Sequence, residues 1–505
     1  MPFSAILRLF MPAAPSPFRI NRIDLRVLPM RTRFPFRYGI ASLIALPHLF
    51  VTVELEVNGQ TIVGRTSEGL PPKWFTKDPT TPNELDVASM LAVIQNAVRL
   101  ASLHGRELVT WYPLVRQLAA EQKLWASRHE HPPLLWNLGV SLVERALLDA
   151  LCRAWQLPLH EVLRTPALGI RWSELHPSLS DVEVPGFLAN PPPRQIALRH
   201  TIGLADPLTA GDVPSSEAVH DGLPHTLDDC IRAYGLRYFK IKLSGNLETD
   251  RHRLTAVASV IRQHASPDFA VTLDGNENFR DLAAFREWFE ALNNDPELKG
   301  FMSHVLWIEQ PLHRDSALNP DLASAFRDWP EAPRLIIDES DGESGALNTA
   351  LELGYSGGSH KNCKGILKGL ANAAAIHASR LAHPDRELIL SGEDLANVGP
   401  IPLTQDLAMQ ALLGITHVER NGHHYFRGLS MYPDEMGISA ATLAAHPDLY
   451  HQLPDGLVTL QVNDGFISID SVNQAPFGTP VTPLVDQLPT VKEWILQGGL
   501  TALES

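Results

Sequence analysis

The feature that most constrains the fold is a rhythm running from about Gln195 to Glu419. Short runs rich in β-branched residues, most ending in a polar or charged side chain, alternate with stretches carrying apolar residues at helical intervals. The runs are Ile196–Ile202, Tyr238–Leu243, Val271–Asp274, Val305–Glu309, Leu335–Asp338, a segment ending at His360-Lys361, Leu388–Ser391 and Thr416–Glu419. Between them, Leu254, Val257, Ala258 and Ile261 share one helical face, and a further helix is expected from about Asp281 to Leu292. Eight strand–helix units in roughly 230 residues predict an α/β architecture, a parallel (β/α)-barrel.

The flanks read differently. From Ile20 to Gly64 the pattern is that of a small antiparallel sheet, with Asn58-Gly59 as a tight turn and Arg31–Tyr38 as a basic, aromatic loop. Helices follow over Pro82–Ser102 and around Leu138–Ala154, the latter ending before Pro158, and residues 166–195 form a proline-rich stretch without periodicity. The expected organisation is a loose extension over 1–19, an α+β capping domain over 20–194, the barrel over 195–430 and a C-terminal segment, 431–505, returning to the cap. Val458–Val462 and Gly465–Ile469 around Asn463-Asp464-Gly465 read as a closing hairpin.

A net charge of −15 on 505 residues argues against non-specific nucleic-acid binding. No apolar run is long enough to span a bilayer, so no membrane partner is expected. Cys152, Cys230 and Cys363 lie far apart, without metal-type or disulfide-type spacing, as suits a reducing cytoplasm. The apolar N-terminus carries Arg8 inside its would-be hydrophobic region and Pro12 and Pro15 just beyond, which disfavours a secretory leader.

The chemistry lies at the strand ends. Asp274, Glu309 and Asp338 close the third, fourth and fifth strands, and active sites of parallel barrels form at those ends. Three adjacent carboxylates need a cation between them, and an all-oxygen set selects a hard ion, Mg²⁺ first and Mn²⁺ second. Lys240 and Lys242 share one face of the second strand, and Lys361 ends the sixth, diametrically opposed in a ring of eight. Amines on both sides of a metal-bound substrate can remove a proton from carbon and return one. Lys240 should lower the proton affinity of Lys242.

Lys-Ile-Lys at 240–242, Asp-Gly-Asn at 274–276, Glu-Gln-Pro at 309–311, Asp-Glu-Ser at 338–340 and His-Lys-Asn-Cys-Lys at 360–364 resemble the mandelate racemase/muconate lactonizing enzyme family of the enolase superfamily, in its lysine-pair, muconate-lactonizing-type branch. Pro35–Tyr38, Ala146–Asp149 with Leu157–Leu159, and Asp464–Ile467 extend the resemblance to most of residues 20–480. Lys364-Gly365-Ile366 stands where the family has Gly-Gly, and His417-Val418-Glu419 replaces the acidic pair of dipeptide epimerases.

The resemblance implies Asp274, Glu309 and Asp338 as Mg²⁺ ligands, Lys242 and Lys361 as acid/base lysines, and Lys240 as support. It implies an enzyme abstracting the proton α to the carboxylate of a small molecule through an enediolate, first as a racemase or epimerase. Cycloisomerisation, β-elimination of the dehydratase or o-succinylbenzoate-synthase type, and a catalytically degenerate binding protein are the alternatives, and a homo-oligomer is allowed. Glu393 and Glu419 are candidates to read a substrate's ammonium or hydroxyl, or to pair with a neighbouring base at the rim. Arg31, Arg33 and Arg37 are candidates to meet a distal anion. His423 and His424 read as surface residues.

Overall fold

The computed structural model describes residues 14–38, 40–181, 184–483 and 485–504. Five strands open the chain: β1 (Phe18–Leu28), β2 (Arg31–Tyr38), β3 (Ala41–Ala45), β4 (His48–Val57) and β5 (Gln60–Gly69). β1, β4 and β5 form an antiparallel sheet with β4 central, turned at Asn58-Gly59. β2 and β3 pair separately as a hairpin, so Arg31–Tyr38 is a strand and not the expected loop. β1 starts at Phe18, which is fully buried, inside the stretch read as a loose extension; Arg8 and Pro12 lie outside the described residues.

Helices Asn83–His104 and Pro133–Trp155 pack on this sheet, and Trp111–Arg128 packs on both of them. Pro133–Trp155 is buried almost all round, because β5 lies on one side and the helix Asn83–His104 on another. Glycine lets the backbones meet there: a Cβ on Gly64 would lie 2.3 Å from Ala146 O, and one on Gly139 would lie 2.4 Å from Val93 O.

The ring consists of β6 (Gln195–Ile202), β7 (Tyr238–Lys242), β8 (Ala270–Asp274), β9 (Val305–Glu309), β10 (Leu335–Ile337), β11 (Gly357–His360), β12 (Ile389–Gly392) and β13 (His417–Arg420). Each runs parallel to the next, and β13 pairs with β6 to close the barrel. All eight expected strands are present.

Beyond the ring, β14 (Tyr450–Gln452) pairs with β15 (Val458–Leu460), while β16 (Phe466–Ser468) joins β6 antiparallel. The expected closing hairpin therefore does not form. Asp464 and Gly465 do make the tight turn, both with positive φ, but the strands on either side of it take partners elsewhere. The C-terminal stretch comes back to β1, where Val27 N–H donates to Pro489 O at 2.9 Å. Among the described residues, no helix is long and apolar enough to cross a membrane.

Candidate active site

Strand register brings the charged residues together. Lys242, Asp274 and Glu309 lie in register across β7, β8 and β9. Inside the mouth of the barrel, Lys240 Nζ is 2.7 Å from Glu419 Oε2, 2.8 Å from Glu309 Oε2, 3.0 Å from Asp274 Oδ2 and 3.1 Å from Glu393 Oε2. Lys242 Nζ donates to the same Asp274 oxygen at 2.6 Å. Across the ring, Lys361 Nζ lies 2.5 Å from Asp338 Oδ2 and 2.6 Å from Glu393 Oε2. All the acid and lysine positions picked from the strand ends thus converge on one cluster.

Other residues complete it. Lys364 Nζ reaches Asp338 Oδ1 at 2.7 Å, so Asp338 is held between two lysines. Arg199, on β6, donates to Ser391 Oγ at 2.7 Å and lies 3.3 Å from Glu393 Oε1. Glu393 and Glu419 prove to be carboxylates paired with neighbouring bases. Sequence reasoning left Arg199 and Lys364 without a role, although the two-residue period of β6 turns Arg199 and Thr201 to the side that Glu393 and Glu419 occupy. Asp274, Glu309, Asp338, Glu393 and Glu419 face Lys240, Lys242, Lys361, Lys364 and Arg199, so five carboxyl groups meet five basic side chains.

The backbone supports this arrangement. Gln310, just after β9, has a left-handed φ of 36°, and its Oε1 accepts the N–H groups of Asp338 at 2.7 Å and Ser340 at 3.2 Å. A non-glycine residue held in that region costs energy that surrounding contacts must offset. Asn276, also left-handed, donates its N–H to Asp274 Oδ1 at 2.9 Å.

The charges set one another's proton affinities. Burial opposes the charge on Lys240, but its four carboxylate neighbours outweigh burial and push its pKa well above the usual lysine value. Lys361 is raised in the same way, against burial, by Asp338 and Glu393. For Lys242, burial and Lys240 pull downward, but Asp274 prevails and the net shift is upward. The expected lowering by Lys240 is thus present and outweighed. Glu309 moves the opposite way: burial first, then Glu393, raises it well above the carboxylate range. Burial, Asp338 and Glu277 push the half-buried Glu339 up to about 8.

The donor set fits a hard cation. Glu309, Asp338 and Glu393 each bring a carboxylate oxygen within 4.8 Å of the others, and Glu309 Oε1 is buried without a hydrogen-bond donor. Asp274 stands outside that group, its oxygens occupied by the second-strand lysines and Asn276.

A pocket opens over the cluster, floored by Lys240, Lys242 and Lys361 and walled by Phe36, Tyr38 and Trp74. Lys361 Nζ sits 5.1 Å from the centre of the Trp74 ring. The arginines of the β2 hairpin are committed elsewhere. Arg33 binds Asp221 at 2.6 and 2.9 Å, Arg37 binds Glu217, and Arg31 donates to Leu503 O. That hairpin therefore offers the pocket rings, not charge. His423 and His424, read as surface residues, are 6% and 3% exposed behind β6.

The closed ring, its sheet-and-helix cap and the C-terminal return form a fold shared with solved mandelate racemase/muconate lactonizing proteins. Among similar solved structures, a mandelate racemase/muconate lactonizing protein from Herpetosiphon aurantiacus is 17% identical, with 92% of this chain and 99% of that one covered at a TM-score of 0.58. A dipeptide epimerase from Enterococcus faecalis, complexed with Mg and L-Leu-L-Tyr, is 14% identical over 91% and 99% of the two chains, at 0.58. A 2-chloromuconate cycloisomerase from Rhodococcus opacus is 14% identical over 92% and 97%, also at 0.58. No family model and no curated protein matches the sequence. At these identities the likeness carries the fold, and the reaction must be argued from the site.

Proposed function

We propose that this protein is a Mg²⁺-dependent enzyme that removes the proton α to a substrate carboxylate and returns one, as a racemase or epimerase. The observation that carries the reading is the placement of Lys242 and Lys361 at opposite positions of one ring, both opening into one pocket over one carboxylate cluster.

Glu309, Asp338 and Glu393 are the residues suited to hold the ion, with Asp274 next to them; Mn²⁺ would meet the same oxygens. A bound Mg²⁺ would supply Lewis-acid stabilisation of the charge that proton loss leaves on the substrate carboxylate, and would lower the lysines' hold on protons. Lys242, with 11% of its side chain exposed against 1% for Lys240, is the base accessible from the pocket. As a free amine it takes the α-proton and becomes an ammonium. Lys361, charged, gives a proton to the opposite face and becomes the free amine, and the reverse reaction exchanges the roles. Lys240 keeps its charge within four carboxylates and holds them in place.

The substrate we infer is a small carboxylate with an apolar distal end, because Phe36, Tyr38, Leu43 and Trp74 wall the pocket while the nearby arginines are paired. A cycloisomerase or β-elimination reading draws support from the pairing of Lys361 with two carboxylates, which suits a fixed cation steadying an enolate while Lys242 alone moves protons. Incubation in deuterated water with a panel of such carboxylates tests the class. Deuterium should enter the α position with Mg²⁺ and stop with chelator. Absence of Mg²⁺ binding by calorimetry, with Asp274→Ala melting like the wild type, would instead support a binding protein.

A further inference from the structure

Outside the barrel mouth lies a second cluster with different chemistry. His200, on β6, faces away from the carboxylates, against the helix Leu227–Tyr234 that carries Cys230 and the short helix Gly422–Tyr425 that carries His423 and His424. His200, Cys230 and His424 are 2%, 0% and 3% exposed, and each offers one ligand atom within 4.8 Å of the other two.

The spacing matches a thiophilic ion. With Zn–N near 2.05 Å and Zn–S near 2.3 Å, tetrahedral geometry sets the N···S separation at about 3.5 Å. Cys230 Sγ and His424 Nδ1 are 3.6 Å apart. His200 Nδ1 meets His423 Nε2 at 3.3 Å, an outer hydrogen bond of the kind that fixes the ring of a ligating histidine. His423 Nδ1 is itself buried without a partner. Arg33, a cation close to this cluster, is paired with Asp221.

We propose that His200, Cys230 and His424 form a zinc site distinct from the carboxylate cluster, with His423 as the positioning residue of His200. Two imidazoles and a thiolate select Zn²⁺ over the hard ions suited to the barrel mouth. On binding, the Cys230 thiol gives its proton to solvent. The site also bears on the pocket wall, because Arg33 donates to His424 O at 2.6 Å and the Phe34 ring stands edge-on to His424 at 4.9 Å. Zinc would therefore fix the β2 hairpin against the barrel.

The test uses the full chain, freed of metal, then loaded with Zn²⁺ or with Co²⁺ as its spectroscopic stand-in. Wild type should retain about one equivalent of Zn²⁺ through gel filtration, and Co²⁺ should give a thiolate-to-metal charge-transfer band. Cys230→Ser should lose the band and the retained zinc, and zinc should raise the melting temperature of wild type only. His423→Ala should bind about 10–100-fold more weakly. Should Cys230→Ser fail to fold, the Co²⁺ band and the zinc-dependent melting of wild type still decide. No retained zinc with no Co²⁺ band overturns the proposal, as does zinc retention unchanged in a folded Cys230→Ser.

Discussion

The Lys361 ammonium lies 2.6 Å from Glu393 Oε2, joining the end of the sixth barrel strand to the end of the seventh. The same carboxylate oxygen is 3.1 Å from Lys240 on the second strand. Glu393 thus links the lysines of two sides of the ring while belonging to the oxygen set suited to a cation. Glu393→Gln keeps the shape and removes the charge. Its Mg²⁺ affinity, measured by calorimetry, should fall by about 10–100-fold. Unchanged affinity would remove Glu393 from the metal set.

Trp74 covers Lys361 from the pocket side. A cation over an indole face is worth about 0.5–2 kcal/mol. Trp74→Ala should lower kcat/KM roughly 3–30-fold on carboxylates with apolar distal groups, by RT ln of that ratio. On substrates with an anionic distal group the wild type should already be slow, since Arg31, Arg33 and Arg37 of the hairpin are all paired elsewhere. Faster turnover of the anionic substrates would contradict the apolar assignment.

Arg420, 1% exposed, binds Asp394 at 2.5 Å and Gln410 at 2.6 Å, with Asp406 at 3.4 Å. Removing the cation leaves buried carboxylates uncompensated, a loss of about 3–5 kcal/mol. Urea unfolding of Arg420→Met should show that loss. A change within about 1 kcal/mol would mean that the acids take up protons at little cost.

His48, on β4, is 1% exposed, and burial lowers its pKa to about 3. A base with a depressed folded pKa stabilises the fold fully above its unfolded value and loses that contribution as pH falls. Relative to His48→Gln, wild type should therefore lose about 2 kcal/mol between pH 6.5 and pH 5. A pH-independent difference would show that His48 is charged in the fold.

The barrel was legible because most of its strands are short apolar runs with β-branched residues, and several end in a side chain the ring needs. Asp274, Glu309, Asp338, Lys240, Lys242 and Lys361 all meet because strand register, once the ring closes, leaves them little choice. What stayed hidden depends on tertiary partners. Asn463-Asp464-Gly465 signals a turn correctly, but the turn does not specify that Phe466–Ser468 pairs with β6. Pro35 and three arginines disguised Arg31–Tyr38, whose pairing with β3 breaks register between Arg31 and Phe36. Gly-His-His-Tyr reads as a polar surface, yet it is buried against His200 and Cys230, which come from elements more than 190 residues earlier.

The central claim is that Lys242 and Lys361 carry protons on opposite faces of one substrate. Its most direct test is α-proton exchange in deuterated water, followed by NMR on each enantiomer of a carboxylate that the wild type turns over. Wild type should label both enantiomers. Lys242→Ala should lose exchange from one and Lys361→Ala from the other. Exchange undiminished in both variants would contradict the account.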